Sequence, residues 1–236
     1  MHVPKIIHQT APSDKSKWHE IWPICQQSWK THFPDYEYRM WTDEDLERLI
    51  KTKYSWFYST YMGYDRHIKR VDAARYFILY EYGGIYADMD FECMKNFEGF
   101  FPQDNVSIAA SPHFEKGEFL QNALMISPAK HPFWVHVFNQ LEFFKEIDNV
   151  LYATGPFFIQ ISIKLYKDNI NILPSKSFAP VHTDEFIVTS ETYQTNTNKH
   201  IFSRHHGTYI WAKYEPPPLK PLTNELMEQI LIENLM

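Results

Sequence analysis

Apolar and polar positions fall into blocks that read as strands alternating with helices. Val3, Ile6 and Ile7 predict a short buried strand over Val3 to His8, followed by the polar His8-Gln9-Thr10 and closed by the turn-forming Ala11-Pro12-Ser13-Asp14. A helix is expected over much of Trp18 to His32, interrupted at Pro23, and a strand over Tyr36 to Trp41. Thr42 then stands as an N-cap before Asp43-Glu44-Asp45, acids placed where a helix dipole favours them. The aromatic stretch Tyr54 to Tyr64 reads as helical. From Asp65 to Tyr82 apolar residues recur at helical spacing (Ile68, Val71, Ala74, Ile78) until Gly83-Gly84 stops the helix. Ile85-Tyr86-Ala87 resumes as a strand that runs into Asp88-Met89-Asp90.

Downstream, Val106 to Ala110 and Ala123 to Ile126 are expected strands, and Pro132 to Phe144 an amphipathic helix. Phe157 to Tyr166 is a further helix after Thr154-Gly155-Pro156, and Ile170 to Leu173 a short strand. Ser175 to Lys199 is polar and without period, hence loop-rich. Pro216-Pro217-Pro218 marks a stiff connector before an amphipathic helix over 223–235, whose apolar face suits docking on the domain better than on a membrane because the helix is acidic and not basic. With neither an internal repeat nor a linker, the expectation is one α/β domain over 1–236.

Composition narrows the function. The 23 basic and 29 acidic side chains sum to −6, which argues against nucleic-acid binding and against an anionic-lipid footprint. Cys25 and Cys93 have no ligand neighbours at zinc spacing and read as reduced core thiols. No apolar run reaches transmembrane length and the opening residues lack a signal-peptide layout, so the expected location is cytoplasmic. Aromatics make up 17% of the chain, which fits an aromatic core or a sugar-stacking surface.

Two Asp-x-Asp triplets carry candidate chemistry. Asp43-Glu44-Asp45 lies in a charged helix start and reads as structural. Asp88 and Asp90 instead end an apolar strand, where a period of two would aim both carboxylates at one face about 6.6 Å apart. At that spacing one acid would bind a metal directly and the other through water or substrate. Asp72 and Arg75 share a face of the preceding helix, either as a plain helical ion pair or as part of a pocket with Asp88 and Asp90.

The run Val71-Asp72-Ala73-Ala74-Arg75 through Gly83-Gly84-Ile85-Tyr86-Ala87-Asp88-Met89-Asp90 resembles the signature of glycosyltransferase family 32, enzymes with a DXD sugar-binding region. Pro4-Lys5-Ile6-Ile7-His8-Gln9-Thr10 is similar to the family's opening strand, and His205-His206 with Trp211 to its closing segment. The resemblance implies a GT-A fold, a Rossmann-like mixed sheet flanked by helices. It implies that Asp88, Asp90 and His205 hold a divalent metal, Mn²⁺ favoured with Mg²⁺ as the alternative, and that Asp72, Arg75 and Asp88 form the catalytic set. Donor-sugar contacts would come from Asp72, Arg75, Gly84 and Asn122, and nucleotide contacts from His8, Gln9, Thr10 and Asp88. Ala11 stands where relatives often carry Trp, and Tyr209-Ile210 replaces Gly-Ser, so Trp41 becomes a candidate base platform, or equally a core residue.

The expected activity is retaining transfer of a hexose from a nucleotide-diphosphate sugar to a glycan or other hydroxyl acceptor. The resemblance of Asp72, Arg75, Asp88 and Asp90 to the corresponding set in UDP-sugar users of the clostridial-toxin type implies a UDP-hexose donor, with GDP-mannose as the other donor the family uses. Two rivals stand beside it: a metal-dependent nucleotide-sugar hydrolase and a non-catalytic carbohydrate-binding protein.

Overall fold

The computed structural model describes residues 2–112, 118–180 and 201–208. Eight strands are β1 (Ile6–Thr10), β2 (Glu37–Trp41), β3 (Gly84–Ala87), β4 (Phe91–Cys93), β5 (Ser107–Pro112), β6 (Glu118–Ser127), β7 (Asn171–Leu173) and β8 (Ser203–His205). The helices are α1 (Trp22–His32), α2 (Asp43–Lys53), α3 (Ser55–Gly63), α4 (His67–Tyr82), α5 (Pro132–Phe144), α6 (Val150–Ala153), α7 (Pro156–Leu165) and α8 (Ser175–Phe178). Six strands form one mixed sheet in the order β2-β1-β3-β6-β5-β7, and β4 pairs antiparallel with β8 in a second, small sheet. β1 lies parallel to both β2 and β3, whereas β6 runs antiparallel to β3 and β5.

The strand period sorts side chains into two cores. Tyr86, Ile108 and Met125 face the layer built by α2, α3, α4, α5 and α7, while Ile85, Ala87, Ala109, Leu124 and Ile126 face Trp29, Phe33, Phe97 and Phe178. Much of the aromatic content is spent here, as in the stacked Phe77–Phe138 pair with ring centroids 4.0 Å apart.

Local chemistry explains the boundaries. Thr42 and Asp45 close a reciprocal capping box at the start of α2, with Asp45 Oδ2 accepting from the Thr42 N–H at 3.1 Å. Pro23 does not interrupt a helix from Trp18. It sits in the first turn of α1, where its missing N–H has no partner to lose. Gly83 and Gly84 carry φ of 63° and 91°, and a Cβ on Gly84 would run into the Ile6 carbonyl, so the turn that lays β3 beside β1 requires a residue without a side chain. β6 is ten residues long, exceeding the apolar Ala123 to Ile126. The expected terminal helix over 223–235 lies outside the described residues. Among the described residues no helix is long and apolar enough to cross a membrane.

Candidate active site

β3 ends at Ala87, so Asp88-Met89-Asp90 is a tight turn and not the strand end that period-two spacing implied. The Phe91 N–H donates to the Asp88 carbonyl at 2.9 Å, closing the turn, and the Asp88 N–H is held by the Ala123 carbonyl of β6 at 2.8 Å. The turn then feeds β4, whose Phe91 pairs with His205 of β8. Through that pairing a residue from the far end of the chain reaches the acids. One ligand atom each from Asp88, Asp90 and His205 lies within 4.8 Å of the others, so both acids and the imidazole can face one ion. The acids therefore stand closer than the separation of about 6.6 Å expected for an extended strand, because a turn brings together what a strand would hold apart.

Asp90 Oδ2 accepts from the Thr208 N–H at 2.7 Å and its hydroxyl at 2.9 Å, while His205 Nε2 lies 3.3 Å from Oδ1. Burial works against the Asp90 anion, yet His205 and Thr208 outweigh it and hold the carboxyl well below its usual range. Burial also lowers the His205 imidazole, but Asp90 beside it more than compensates and raises it. For Asp88 burial prevails over the Arg75 guanidinium and pushes the carboxyl up.

Arg75 joins the acidic turn to α4. Its guanidinium lies 2.7 Å from Asp72 Oδ1 and 3.0 Å from Asp88 Oδ1, donates to the Asn122 carbonyl at 3.0 Å, and covers the Tyr86 ring at 4.8 Å. The Tyr86 hydroxyl donates to Asp88 Oδ1 at 2.8 Å and lies 2.9 Å from Thr10 Oγ1. Asp72 also accepts from Asn122 Nδ2 at 3.1 Å and from the Thr154 hydroxyl at 3.3 Å. Burial lifts its carboxyl to about 6 against the pull of Arg75. Arg75 Nε is buried with no partner among the described residues.

These groups line one cavity of about 530 Å³. It takes in Thr10, Asp72, Arg75, Asp88, Asp90 and Asn122, together with His205. It does not take in three other expected contacts. His8 is fully buried, its Nε2 2.9 Å from the Gly83 carbonyl and its Nδ1 accepting from Trp41 Nε1 at 3.1 Å. Gln9 is likewise buried, donating to the Asp88 carbonyl and accepting from the Tyr38 hydroxyl. Gly84 opens β3, paired with Ser127 of β6 and packed against the Ile6 carbonyl of β1. These residues support the site without facing it, and Trp41 packs on His8 and Tyr82 away from the cavity.

Residue-type reasoning missed other parts of the wall: Trp22, Asp43, His67 and Thr208. Thr208 carries no sequence signal beyond following His205 and His206. Asp43 was hidden by its helix-start context, which accounts for Asp45 but not for a side chain lining the cavity.

A mixed sheet between helical layers, with an Asp/Asp/His cluster in the turn that follows a central strand, defines a GT-A glycosyltransferase fold. The solved structure of the PaToxG glycosyltransferase matches 99% of this chain and 86% of its own with a TM-score of 0.55 at 14% identity. Residues 20–108 match the family model described as glycosyltransferase sugar-binding region containing DXD motif. Inositol phosphoceramide mannosyltransferase 3 of Schizosaccharomyces pombe is 37% identical over 67% of this chain and 44% of its own length. Mannosyl phosphorylinositol ceramide synthase CSH1 of Saccharomyces cerevisiae is 36% identical over 70% of this chain and 43% of its own. The chain belongs to this family of DXD glycosyltransferases, and it spans less than half the length of these two curated relatives.

Proposed function

We propose that the protein transfers a hexosyl unit, with retention at the anomeric carbon, from a nucleoside-diphosphate sugar to a hydroxyl acceptor. The observation that carries this reading is the meeting of Asp72, Arg75, Asn122, Asp88, Asp90 and His205 around a single cavity. Two carboxylates and an imidazole within 4.8 Å make a donor set that suits a hard-to-borderline divalent cation, and the nitrogen ligand favours Mn²⁺ over Mg²⁺. Asp88, Asp90 and His205 would hold it, and when bound it supplies positive charge to the pyrophosphate as the glycosidic bond breaks.

The chain's own residues do the rest. Arg75, fixed by two carboxylates and a carbonyl, lines the cavity and sets positive charge beside the place a donor would occupy. Asp72 is engaged by Arg75, Asn122 and Thr154, so it is poorly placed to act as a nucleophile and suited to accept from a sugar hydroxyl. That supports a front-face reaction in which the departing phosphate takes the acceptor's proton and no glycosyl-enzyme forms.

The test is a panel of nucleotide sugars with Mn²⁺, scoring released nucleotide with and without acceptor. The relatives' names place a mannosyl donor and an inositol phosphoceramide acceptor first in that panel. A transferase yields a larger glycosylated product that grows with acceptor. A hydrolase releases sugar regardless of acceptor, and a carbohydrate-binding protein releases no nucleotide; either result sinks the reading. Asp90→Ala is expected to lower transfer by at least about 10²-fold, with an unchanged far-ultraviolet dichroism spectrum. Wild-type turnover in that variant would remove Asp90 from the site.

A further inference from the structure

α6 is only four residues long, too short to hold itself as a helix, so its place is set by what grips its two ends. Both grips come from one face of α4, where Lys69, Asp72 and Tyr76 recur at i, i+3 and i+7. Ahead of α6, the Lys69 ammonium donates to the Ile147 carbonyl at 2.8 Å. Behind it, the Tyr76 hydroxyl donates to the Thr154 carbonyl at 2.6 Å, and the Thr154 hydroxyl donates to Asp72 Oδ2 at 3.3 Å. Residues 147–154 are thereby a strap clasped to the helix that also carries Arg75. Its inner side is apolar: Val150 and Leu151 line the cavity, and Pro156 at the start of α7 continues the wall.

Lys69 is the costly member of this clasp. Its side chain is 2% exposed, where an ammonium gives up most of its hydration, and its second partner is Asp65 Oδ1 at 2.8 Å, on a side chain that is itself 55% exposed. A methionine would fill the same space with no charge to bury, so packing alone gives no reason for a lysine here. What a methionine could not supply is the bond to Ile147. Lys69 is absent from the cavity wall, so whatever it does for the site it does through the strap. The wall it holds offers no side-chain hydrogen bond to a pyrophosphate or to the hydroxyls of a donor hexose, which in the transfer reading meet the Asp88/Asp90 turn and Asp72, Arg75 and Asn122. It adjoins the hexose end of the cavity through the bond from Thr154 to Asp72, the end at which a transferred sugar must meet its acceptor.

We propose that the α6 strap is the wall against which the acceptor binds, and that Lys69 is the positioning residue that sets it. This rests on the glycosyl-transfer reading and adds to it a division of the cavity: α4 and the acidic turn serve the donor, and the strap serves the acceptor.

The experiment compares wild type with Lys69→Met and Asp65→Asn by amide hydrogen exchange, and by kinetics on the donor and acceptor that the nucleotide-sugar panel yields. In Lys69→Met the amides of residues 150–154 should exchange about tenfold or more faster, while those of β3 keep their wild-type rates. Its KM for the acceptor should rise about fivefold or more, with the KM for the donor and the nucleotide release seen without acceptor both unchanged. Asp65→Asn leaves the Lys69 bond to Ile147 in place and should match wild type in both measurements. Should Lys69→Met not fold, Leu151→Ala trims the wall from the cavity side and should raise the acceptor KM alone. Unchanged exchange over 150–154 in a folded Lys69→Met, or a donor KM that rises with the acceptor KM in either variant, overturns the assignment and leaves glycosyl transfer standing. If wild type forms no acceptor-dependent product with any pair in the panel, the transfer reading falls and the strap's role falls with it.

Discussion

Arg75 is the residue on which the geometry of the site turns. It is 3% exposed, yet carries a full positive charge between Asp72 and Asp88. Burial alone would discourage that charge, and the carboxylates and Tyr86 around it reverse the effect and raise its affinity for the proton. Removing one partner from such a cluster strands the others in low dielectric, which costs about 3–5 kcal/mol. Arg75→Met is therefore expected to lose that order of stability in urea melts as well as its transfer activity. Arg75→Lys keeps the charge but offers a point donor in place of a fork, so it should retain most of the stability and still lose turnover. A fully active Arg75→Lys enzyme would show that the fork geometry is not used.

At the scale of elements, the α4–Gly83-Gly84–β3 unit places everything else. Gly84→Ala meets both a left-handed φ of 91° and the Ile6 carbonyl, so it is expected to cost about 2–4 kcal/mol, read as a lowered urea midpoint. Gly63, at the end of α3, has open space where a Cβ would go, and Gly63→Ala should be neutral or stabilise by up to about 1 kcal/mol. Equal effects at the two positions would refute the steric account. This same unit was the most legible part of the sequence, because helical spacing, a double-glycine stop and an apolar triplet all agree at short range. β4 was not legible: three residues pairing with Ser203–His205 leave no periodic signal, and the pairing depends on contacts more than 100 positions away. Its consequence for the site was equally hidden, since only that ladder, together with the turn, sets His205 beside Asp88 and Asp90.

For the whole molecule, acid stability follows from how the layers are pinned. Trp41 Nε1 can only donate, so His8 Nδ1 must accept and Nε2 must carry the proton that goes to the Gly83 carbonyl. His8 is thereby a neutral rivet among β1, β2 and the end of α4, and burial drives its pKa down to about 3 despite the Gly83 hydrogen bond. In the unfolded chain the same group titrates near 6.5. Its contribution is complete above about pH 6.5 and is lost as pH falls from there toward 3, because the unfolded state takes up a proton that the native state refuses. Glu81 adds a second, more acidic loss. Burial would raise its carboxyl, but Lys130, Lys53 and Tyr54 together draw it down to about 2, so its share is present above about 4.5 and disappears as pH falls toward 2. Unfolding free energy should therefore fall by about 2 kcal/mol between pH 7 and 5 through His8 alone. His8→Gln, which keeps a donor for Gly83 but cannot titrate, should remove that downward share whatever its effect on stability at pH 7, leaving the opposite share of Asp72, whose raised carboxyl takes up a proton near 6 in the native state. If the slope between pH 7 and 5 survives in His8→Gln, the buried imidazole is not its source.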